Sequence, residues 1–398
     1  MFKVLVLDDE SMVVDMLALA LRAPDVHLTT CLEIEAAEAL LGQYRFDAVV
    51  TDLSVSPLGG LEGVRLIRFV ATHFPDTALY VLSGFLDESV RSICHLMGVA
   101  AVLDKPGGLG ELRRLLLAEQ ARQAAASAEI DAPKSPPQPP TVEKVPLLES
   151  FLAAGPLHAL LQPVVPLFDG GPPFEVFGVE GLARGPAGAL LGMPSLLFAY
   201  AAKKELAFEV DLLCIRAALA EFRPLPGRLT AFLNVQPRSL THPEFTPRLV
   251  EALRTAEVEH DRVILELTEQ HTILNPRAFA ATLAKLRDLG LRIALDDFGE
   301  GSSNLNLFLD LRPEFLKISS AFCRGVEADP FKQALVRSTA EMAARTGAKT
   351  VMEAVETAEE AEEIRRLGVD FGQGHFFSTP RTGRELAADE SLHIPPAS

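Results

Sequence analysis

The chain contains 398 residues, more than a single hydrophobic core usually organises, and its 48% apolar residues are enough to fill two cores. Its 37 Lys and Arg residues against 54 Asp and Glu residues give a formal net charge of −17. This charge opposes the attraction to phosphate backbones on which nucleic-acid-binding proteins depend, so we expect two domains and no DNA-binding output.

Short apolar runs alternate with helical patterns over residues 1–118. The runs KVLVL, DAVVT, ALYVLS and AAVLD are typical of buried strands, and helical stretches such as SMVVDMLALALR separate them. A last leucine-rich helix begins near Leu109. Because near-continuous apolar strands that alternate with helices are characteristic of parallel sheets, this segment predicts an α/β domain with a doubly wound parallel sheet.

Polar residues follow the predicted strands of this first domain, at the sheet edge where open parallel sheets bind ligands. Three carboxylates can hold Mg²⁺, a hydroxyl and a lysine can neutralise an incoming phosphoryl group, and one aspartate can then act as the nucleophile. Any one of these residues could simply be a polar strand end, but the ordered set favours a phosphoryl-transfer site. The set consists of Asp8, Asp9, Asp52, Ser83 and Lys105.

With this set, residues 1–118 resemble the flavodoxin-like receiver domain of two-component response regulators. The resemblance implies a sensor histidine kinase or a phosphotransfer protein as the phosphate donor. Val102 departs from the family, since the position three before the lysine usually holds Tyr or Phe, and SVSPLGG carries its proline one residue late. The resemblance implies Asp52 as the phospho-acceptor, Asp8 and Asp9 as Mg²⁺ ligands, Ser83 as the switch hydroxyl and Lys105 as the phosphate-pairing lysine.

Residues 119–146 differ in composition from the segments on either side. They are rich in Ala, Gln and Pro and include the run APKSPPQPP. Such a composition predicts the tail of a helix followed by a semi-rigid extended linker. The second domain is therefore expected to cover residues 147–391.

The second domain is predicted to be a longer series of strands and helices. Strand-like segments occur at FEVFGVE, LTAFLNV, RVILELTE, RIALDD, EFLKIS, KTVMEAV and DFGQGHFF, and helical stretches such as PRAFAATLAKLRDLG separate them. The number of units and the size of the segment fit a TIM-type (β/α)8 barrel.

Polar residues also end the predicted barrel strands, at spacings typical of successive βα units. Because the strand ends of such a barrel meet on one face, these side chains can converge there. The residues in question are Glu180, Asn234, Glu266, Glu269, Asp296, Asp297, Lys317, Glu353, Glu356 and Gln373.

An all-oxygen set of this kind suits hard cations such as Mg²⁺ or Mn²⁺, and the adjacent Asp296 and Asp297 could serve two ions at once. Two ions suit phosphodiester hydrolysis, because they activate a water and stabilise the oxyanion opposite the leaving group. Lys317 could orient or help to deprotonate that water. Glu353 could either ligate metal or act in proton transfer.

Residues 147–391 also resemble the EAL domain of bacterial cyclic-di-GMP phosphodiesterases. The motifs EGLAR, NVQP, ELTE, DDFG, LKIS, EAVET and QGHFFS match that family in order. The resemblance implies hydrolysis of cyclic-di-GMP to linear pGpG at two Mg²⁺ or Mn²⁺ ions, and a homodimer or higher homo-oligomer. It implies Glu180, Asn234, Glu266, Asp296 and Asp297 as metal ligands, Lys317 and Glu353 as catalytic groups, Gln162, Arg184 and Gln373 as substrate contacts, and Glu269 and Glu356 as supports of the catalytic loop.

Three positions depart from the EAL motifs. Ser319 stands where the family usually has Asp two residues after the lysine, and Glu300 and Ser302 replace Thr and Tyr in the loop after the acid pair. The lost acid removes a charge partner near the lysine, and the altered loop could retune the coupling of the metal site to dimerisation. Two hypotheses therefore stay open: a phosphodiesterase modulated by phosphorylation of Asp52, which the retained ligands favour, and a catalytically weak or inactive EAL domain that binds cyclic-di-GMP or a partner protein.

The stretch ALDDFGEGSSN could suggest other enzymes. A protein kinase is not supported, because the sequence has no HRD catalytic loop, and GEGSSN lacks the GK[ST] ending of a P-loop. A diguanylate cyclase is not supported either, since no GG(D/E)EF-like signature occurs.

The cysteine pattern and the N-terminus bear on location. Four widely separated cysteines without a CxxC pair favour reduced thiols over a disulfide framework. The apolar run in MFKVLVLDDE is too short for a secretory signal, and prolines and glycines interrupt the uncharged residues 185–202, which argues against a membrane span. We expect a cytoplasmic protein that does not enter a membrane.

Overall fold

The computed structural model separates into two compact units, each with its own hydrophobic core. The first unit comprises Met1–Pro156 and Pro186–Glu205, and the second comprises Leu157–Gly185 and Leu206–Ser398. The structure describes residues 1–53, 62–84, 91, 94–105, 107–127, 141–155, 157–168, 174–186, 189–267, 275–299, 304–389 and 393–394.

A six-stranded sheet forms the centre of the first unit. Its strands are β1 (Phe2–Leu7), β2 (Val26–Cys31), β3 (Ala48–Thr51), β4 (Ala78–Ser83), β5 (Ala101–Asp104) and β6 (Thr141–Lys144). They lie in the order β5-β4-β3-β1-β2-β6, and every neighbouring pair is parallel. The predicted parallel α/β sheet is confirmed.

Helices cover both faces of this sheet. Val4 and Val6 of β1 pack with Leu17 and Leu112 on one face, while the buried Leu5 points to the other face because successive strand residues alternate. Among the described residues, the helices of the unit are α1 (Ser11–Ala20), α2 (Ile34–Gln43), α3 (Glu62–His73), α4 (Leu109–Ser127), α5 (Leu148–Ala153) and α6 (Pro194–Lys203), with a 3-10 turn at Leu190–Gly192.

The sixth strand comes from the segment that the sequence predicts to be a linker. β6 pairs in parallel with β2, with Val142 opposite Leu28, and the Val145 N–H donates to the carbonyl of Thr30 at 2.8 Å. The amino group of Lys144 also contacts the Asp15 carboxylate. The end of the predicted linker is thus extended and built into the sheet of the first unit.

Helix α6 also belongs to the first unit, although it lies between two barrel strands in the sequence. Lys203 of α6 contacts Glu38 of α2 at 2.9 Å, and Arg65 of α3 donates two hydrogen bonds to the same carboxylate at 2.9 and 2.8 Å. Burial opposes the charge of Glu38, but the hydrogen bonds from Arg65 and Lys203 outweigh that effect and lower its pKa. One buried carboxylate therefore joins α2, α3 and α6.

The second unit is a closed barrel. Its strands are β7 (His158–Pro166), β8 (Phe174–Glu175), β9 (Gly178–Arg184), β10 (Thr230–Val235), β11 (Val263–Leu267), β12 (Arg292–Phe298), β13 (Phe315–Ile318), β14 (Lys349–Met352), β15 (Phe371–Gly372) and β16 (His393–Ile394). The barrel closes in the order β10-β11-β12-β13-β14-β15-β7-β9, and β8 pairs with β16 outside it. The TIM-type barrel predicted from the sequence is confirmed.

One barrel strand runs against the others. β7 is antiparallel to both β9 and β15, whereas the remaining barrel pairs are parallel. The connection from β7 to β9 contains no helix among its described residues, and such a short connection joins antiparallel strands, while parallel strands need a longer crossover.

Helices surround the barrel, and aromatic rings fill part of its interior. Phe177, Phe232, Phe315 and Phe371 pack together with ring centroids 4.7 to 6.2 Å apart. No helix in the described part of the chain is both long and apolar enough to span a membrane. The barrel helices are α7 (Ala207–Phe222), α8 (Pro237–Leu240), α9 (Phe245–Ala256), α10 (Pro276–Asp288), α11 (Asn304–Leu311), α12 (Ser320–Cys323), α13 (Pro330–Thr346), α14 (Ala358–Arg366) and α15 (Gly383–Ala387), with 3-10 turns at His260–Arg262 and Val326–Ala328.

Candidate active site

A layer of polar side chains lies directly above an apolar layer inside the barrel. The apolar layer includes Phe232, Ile264, Ala294, Phe315 and Val351, each from a different strand. Side chains two residues apart along a strand share a face, so the residues two positions further along these strands also point into the barrel. In this chain those residues are polar. The polar layer consists of Asn234, Glu266, Asp296, Lys317 and Glu353, with Glu180 in the same layer of β9.

Lys317 lies at the centre of this layer. Its Nζ atom is 3.2 Å from Glu180 Oε2, 3.1 Å from Glu266 Oε1, 2.9 Å from Asp296 Oδ1 and 2.8 Å from Glu353 Oε1. The lysine side chain is only 1% exposed. A single buried ammonium group thus faces four carboxylates, which leaves an excess of negative charge.

Burial and charge shift the pKa values of these groups in different directions. Burial alone would lower the pKa of Lys317, but the carboxylates around it outweigh burial and raise that pKa well above its usual value. Burial raises the pKa of Glu266 well above its usual range and that of Glu353 to about 8. Burial would also raise the pKa of Glu180, but the charge of Lys317 and hydrogen bonds from neighbouring side chains lower it.

An irregularity in β12 brings the two adjacent aspartates to the site. Consecutive strand residues normally point to opposite faces, but the pairing register with β13 shifts between Leu295 and Phe298, so that Asp296 and Asp297 together stand opposite Lys317. Asp297 also has a φ of 55°, in the left-handed region that aspartate tolerates better than most residues. Such a β-bulge re-aims side chains.

A metal ion would fit this carboxylate cluster. Asp296, Asp297 and Glu353 each offer an oxygen within 4.8 Å of the others. Within the described residues, neither oxygen of the buried Glu266 accepts a hydrogen bond of suitable geometry, although Lys317 is close to one of them. One ammonium group cannot balance the four carboxylates around it, and an all-oxygen donor set of this kind suits a hard divalent ion.

Two amides hold Glu180 in place. Asn234 Nδ2 donates to Glu180 Oε1 at 2.8 Å, which leaves the Asn234 carbonyl oxygen available, and the buried Gln373 donates to Glu180 Oε2 at 2.8 Å. Gln373 also donates to Gln162, and Gln162 in turn donates to the Ser378 carbonyl at 3.2 Å. The family resemblance implies Gln162 and Gln373 as substrate contacts, but it does not predict that Gln373 donates hydrogen bonds to both Glu180 and Gln162.

Several predicted residues lie away from the lysine cluster or outside the described residues. Arg184 shares the inward face of β9 with Glu180 but hydrogen-bonds to its neighbour Ala183. Glu356 pairs with Arg324 at 2.9 Å. The predicted loop residues Glu269, Glu300 and Ser302 lie outside the residues that the structure describes.

Ser319 has a local structural role. Its buried hydroxyl accepts a hydrogen bond from the Ala321 N–H at 3.2 Å and caps α12. Since Lys317 already faces four carboxylates, its charge is balanced without an acid at position 319.

The polar residues of the first unit also come together at one sheet edge. Asp8, Asp9 and Asp52 form a second cluster whose oxygens lie within 4.8 Å of one another. Lys105 Nζ is 2.9 Å from Asp8 and 2.8 Å from Asp52. Ser83 ends the adjacent strand, where its carbonyl accepts from the Lys105 N–H at 3.0 Å. Burial raises the pKa of Asp8, while Lys105 opposes that rise.

Two family models match the chain: the EAL domain over residues 147–380 and the response regulator receiver domain over residues 4–117. The cyclic di-GMP phosphodiesterase RocR of Pseudomonas aeruginosa is 26% identical over 389 residues, which cover 95% of each chain. The probable cyclic di-GMP phosphodiesterase PdeB of Escherichia coli is 30% identical over 223 residues, or 54% of this chain and 41% of PdeB. The calcium and cyclic-di-GMP complex of Klebsiella pneumoniae BlrP1 has a TM-score of 0.52 at 26% identity, covering 77% of this chain and 74% of that one.

Proposed function

Because the chain belongs to the EAL domain family and carries an N-terminal response regulator receiver domain, we propose that it is a response regulator whose output is the metal-dependent hydrolysis of cyclic-di-GMP to linear pGpG. The relatives named as cyclic di-GMP phosphodiesterases support this substrate. The observation that carries the proposal is the buried Lys317 amid four carboxylates at the strand ends of the barrel.

The same geometry suggests a role for each residue. Two Mg²⁺ or Mn²⁺ ions held by Glu180, Asn234, Glu266, Asp296 and Asp297 would activate a water and stabilise the phosphorane-like oxyanion. Lys317 orients that water or stabilises the developing charge. Glu353 belongs to the Asp296 and Asp297 cluster, which favours metal ligation, and its 2.8 Å contact with Lys317 also permits proton exchange. Arg184, Gln162 and Gln373 would contact the substrate from the same face.

We propose that phosphorylation of Asp52 modulates this output. The contacts of Lys105 with Asp8 and Asp52 provide the groups that a phosphoryl acceptor with Mg²⁺ requires. Residues Pro186–Glu205 begin two positions after the end of β9, which carries Glu180, and they belong to the same unit as the receiver sheet. A change in that unit can therefore act on β9 through the chain itself.

Three further features belong to the proposal. A sensor histidine kinase or a phosphotransfer protein would supply the phosphoryl group, and the active form would be a homodimer or higher homo-oligomer. A cytoplasmic location fits the four cysteines, all of which are free thiols.

The experiment is to incubate the purified full chain with cyclic-di-GMP and Mg²⁺ or Mn²⁺ and to measure pGpG. Lys317→Ala and Glu180→Ala are expected to abolish turnover, because each removes a member of the central cluster. Lys349→Ala is the matched control, since this lysine pairs with Asp370 at the start of β14 and is largely exposed. Near-normal turnover in Lys317→Ala would show that the roles are wrongly assigned.

The same experiment separates the two hypotheses that the sequence leaves open. Binding of cyclic-di-GMP by the wild-type protein without any pGpG would reject the enzyme and favour a binding module.

A further inference from the structure

A buried carboxylate outside the lysine cluster lies beside the end of a catalytic strand. Asp211 is 1% exposed and belongs to the first half of α7. In a βα barrel each helix begins near the face where the preceding strand ends. Asp211 is therefore at the level of the site, behind the strands rather than among the side chains that face Lys317.

Asp211 is bonded to the turn that follows β10. Its Oδ2 atom accepts a hydrogen bond from the Gln236 N–H at 3.1 Å. Gln236 comes directly after β10 and is the N-cap residue of the short helix α8. The hydroxyl of Ser239, in the same helix, also faces the carboxylate.

The turn held by Asp211 begins two residues after Asn234. Asn234 donates to Glu180 at 2.8 Å, and Glu180 contacts Lys317 at 3.2 Å. The end of β10 is thus fixed on its inner side by Glu180 and on its outer side by Asp211. Displacement of the turn would move the Asn234 amide relative to the carboxylate cluster.

We propose that Asp211 is a positioning residue for the phosphodiester hydrolysis. It fixes the end of β10 and hence the placement of the Asn234 oxygen toward the divalent ions. The inference rests on the proposed function, because it assigns Asp211 to that same site. Buried acids are costly unless they are hydrogen-bonded, so a carboxylate at this place needs a partner, and the turn supplies it.

The role of Asp211 requires an acceptor oxygen and not a negative charge. Burial raises the pKa of Asp211 to about 7, against the effects of Ser239, Gln236 and Arg238. The group is therefore largely neutral below that pH and still accepts the Gln236 N–H. An asparagine, which has the same shape and one acceptor oxygen, should replace it.

The test compares Asp211→Ala with Asp211→Asn in the full chain. Asp211→Ala should lower kcat and the affinity for Mn²⁺ by about tenfold or more each, which is typical of residues that support metal ligands. Asp211→Asn should stay within about threefold of the wild type, since the acceptor remains. Mn²⁺ affinity is measured by titration calorimetry without substrate, so the result does not depend on turnover.

Asp370→Ala is the matched control. Asp370 likewise accepts a backbone hydrogen bond, from Thr350 at 2.9 Å, but at the start of β14 and so at the opposite end of the barrel. Asp370→Ala should lower stability and leave Mn²⁺ affinity and kcat nearly unchanged.

Two outcomes would overturn the proposal. One is an Asp211→Ala protein with wild-type Mn²⁺ affinity, and the other is an equal loss in Asp211→Asn and Asp211→Ala. If Asp211→Ala does not fold, Asp211→Ser takes its place with the same expectation, because its hydroxyl is too short to reach Gln236. Wild-type protein that binds Mn²⁺ but makes no pGpG would reject the proposed function alone.

Discussion

Buried ionisable residues determine both the chemistry and the stability of the barrel. Lys317 neutralises part of the charge of the four carboxylates that contact it. Asp211 has no such cation in direct contact among the described residues, where the Gln236 N–H is its hydrogen-bond donor. Its charge is therefore unfavourable in the folded protein, and stability should depend on pH through this residue.

The sign of that dependence follows from the raised pKa of Asp211, about 7 in place of the ordinary 3.8. Between these two pH values Asp211 keeps a proton in the folded chain that it has lost in the unfolded chain. Its contribution to the free energy of unfolding therefore falls as pH rises from about 4 to about 7. Above pH 7 the free-energy cost of ionising Asp211 in the folded chain reaches roughly 4 kcal/mol, because each unit of pKa difference corresponds to about 1.36 kcal/mol. The Asp211→Asn protein has no ionisable group at this position. Its free energy of unfolding, relative to that of the wild type, should therefore increase from pH 5 to pH 7.

Denaturant unfolding of both proteins at several pH values measures this difference. A constant difference between Asp211→Asn and the wild type over that range would show that Asp211 is ionised in the folded chain throughout.

The secondary-structure elements show which features can be read from the sequence. The strand-end residues were predictable, because an alternating pattern fixes which side chains face inward, and Asp296, Lys317 and Glu353 do meet. The bulge that places both Asp296 and Asp297 opposite Lys317 was not predictable, because it depends on the pairing register of β12 with β13.

Pairing between distant parts of the chain explains the other features of the structure that the sequence does not predict. The attachment of β6 to β2 and of α6 to α2 joins residues far apart in the chain, and local patterns contain no information on such partners. The reversed direction of β7 was missed for the same reason, because direction depends on the neighbours that the strand finds.

The contact of α2, α3 and α6 leads to a prediction on stability. Glu38 is buried, whereas Arg65 and Lys203 are partly exposed, so solvent screening reduces the energy of both pairs. Glu38→Ala leaves both cations without this partner and should lower the free energy of unfolding of the first unit by about 1–2 kcal/mol. Lys203→Ala should cost less, because Arg65 still satisfies the carboxylate.

Urea unfolding of the full chain, followed at the transition of the first unit, tests this expectation. Glu35→Ala is the control, since its carboxylate is 4.0 Å from Arg65 and more exposed. Equal stabilities of Glu38→Ala and Glu35→Ala would refute the shared role of Glu38.

At the scale of the whole molecule, the first unit contains more than the receiver domain. It includes β6 and the residues Pro186–Glu205, which lead from β9 to α7. Val102, half-buried on β5, stands where an aromatic residue usually rotates in the receiver family. Residues Pro186–Glu205 thus connect the first unit through the chain to β9, the barrel strand that carries Glu180.

Phosphorylation of Asp52 should therefore change the rate of cyclic-di-GMP hydrolysis. Acetyl phosphate with Mg²⁺ should alter turnover by the wild-type chain and have no effect on Asp52→Ala, which lacks the acceptor carboxylate. An identical response of the two proteins would reject Asp52 as the route, and phosphorylated wild type with unchanged turnover would reject the coupling.

The carboxylate layer around Lys317 should act as a metal-dependent phosphodiesterase site. The most direct measurement is the product formed from cyclic-di-GMP by the purified wild-type chain, with Mg²⁺ or Mn²⁺ and with a chelator. We predict that the wild-type chain forms linear pGpG in the presence of the divalent ion. No pGpG should form when the chelator is added or when Lys317→Ala replaces the wild type. Cyclic-di-GMP that is bound but recovered intact with either ion would contradict the account.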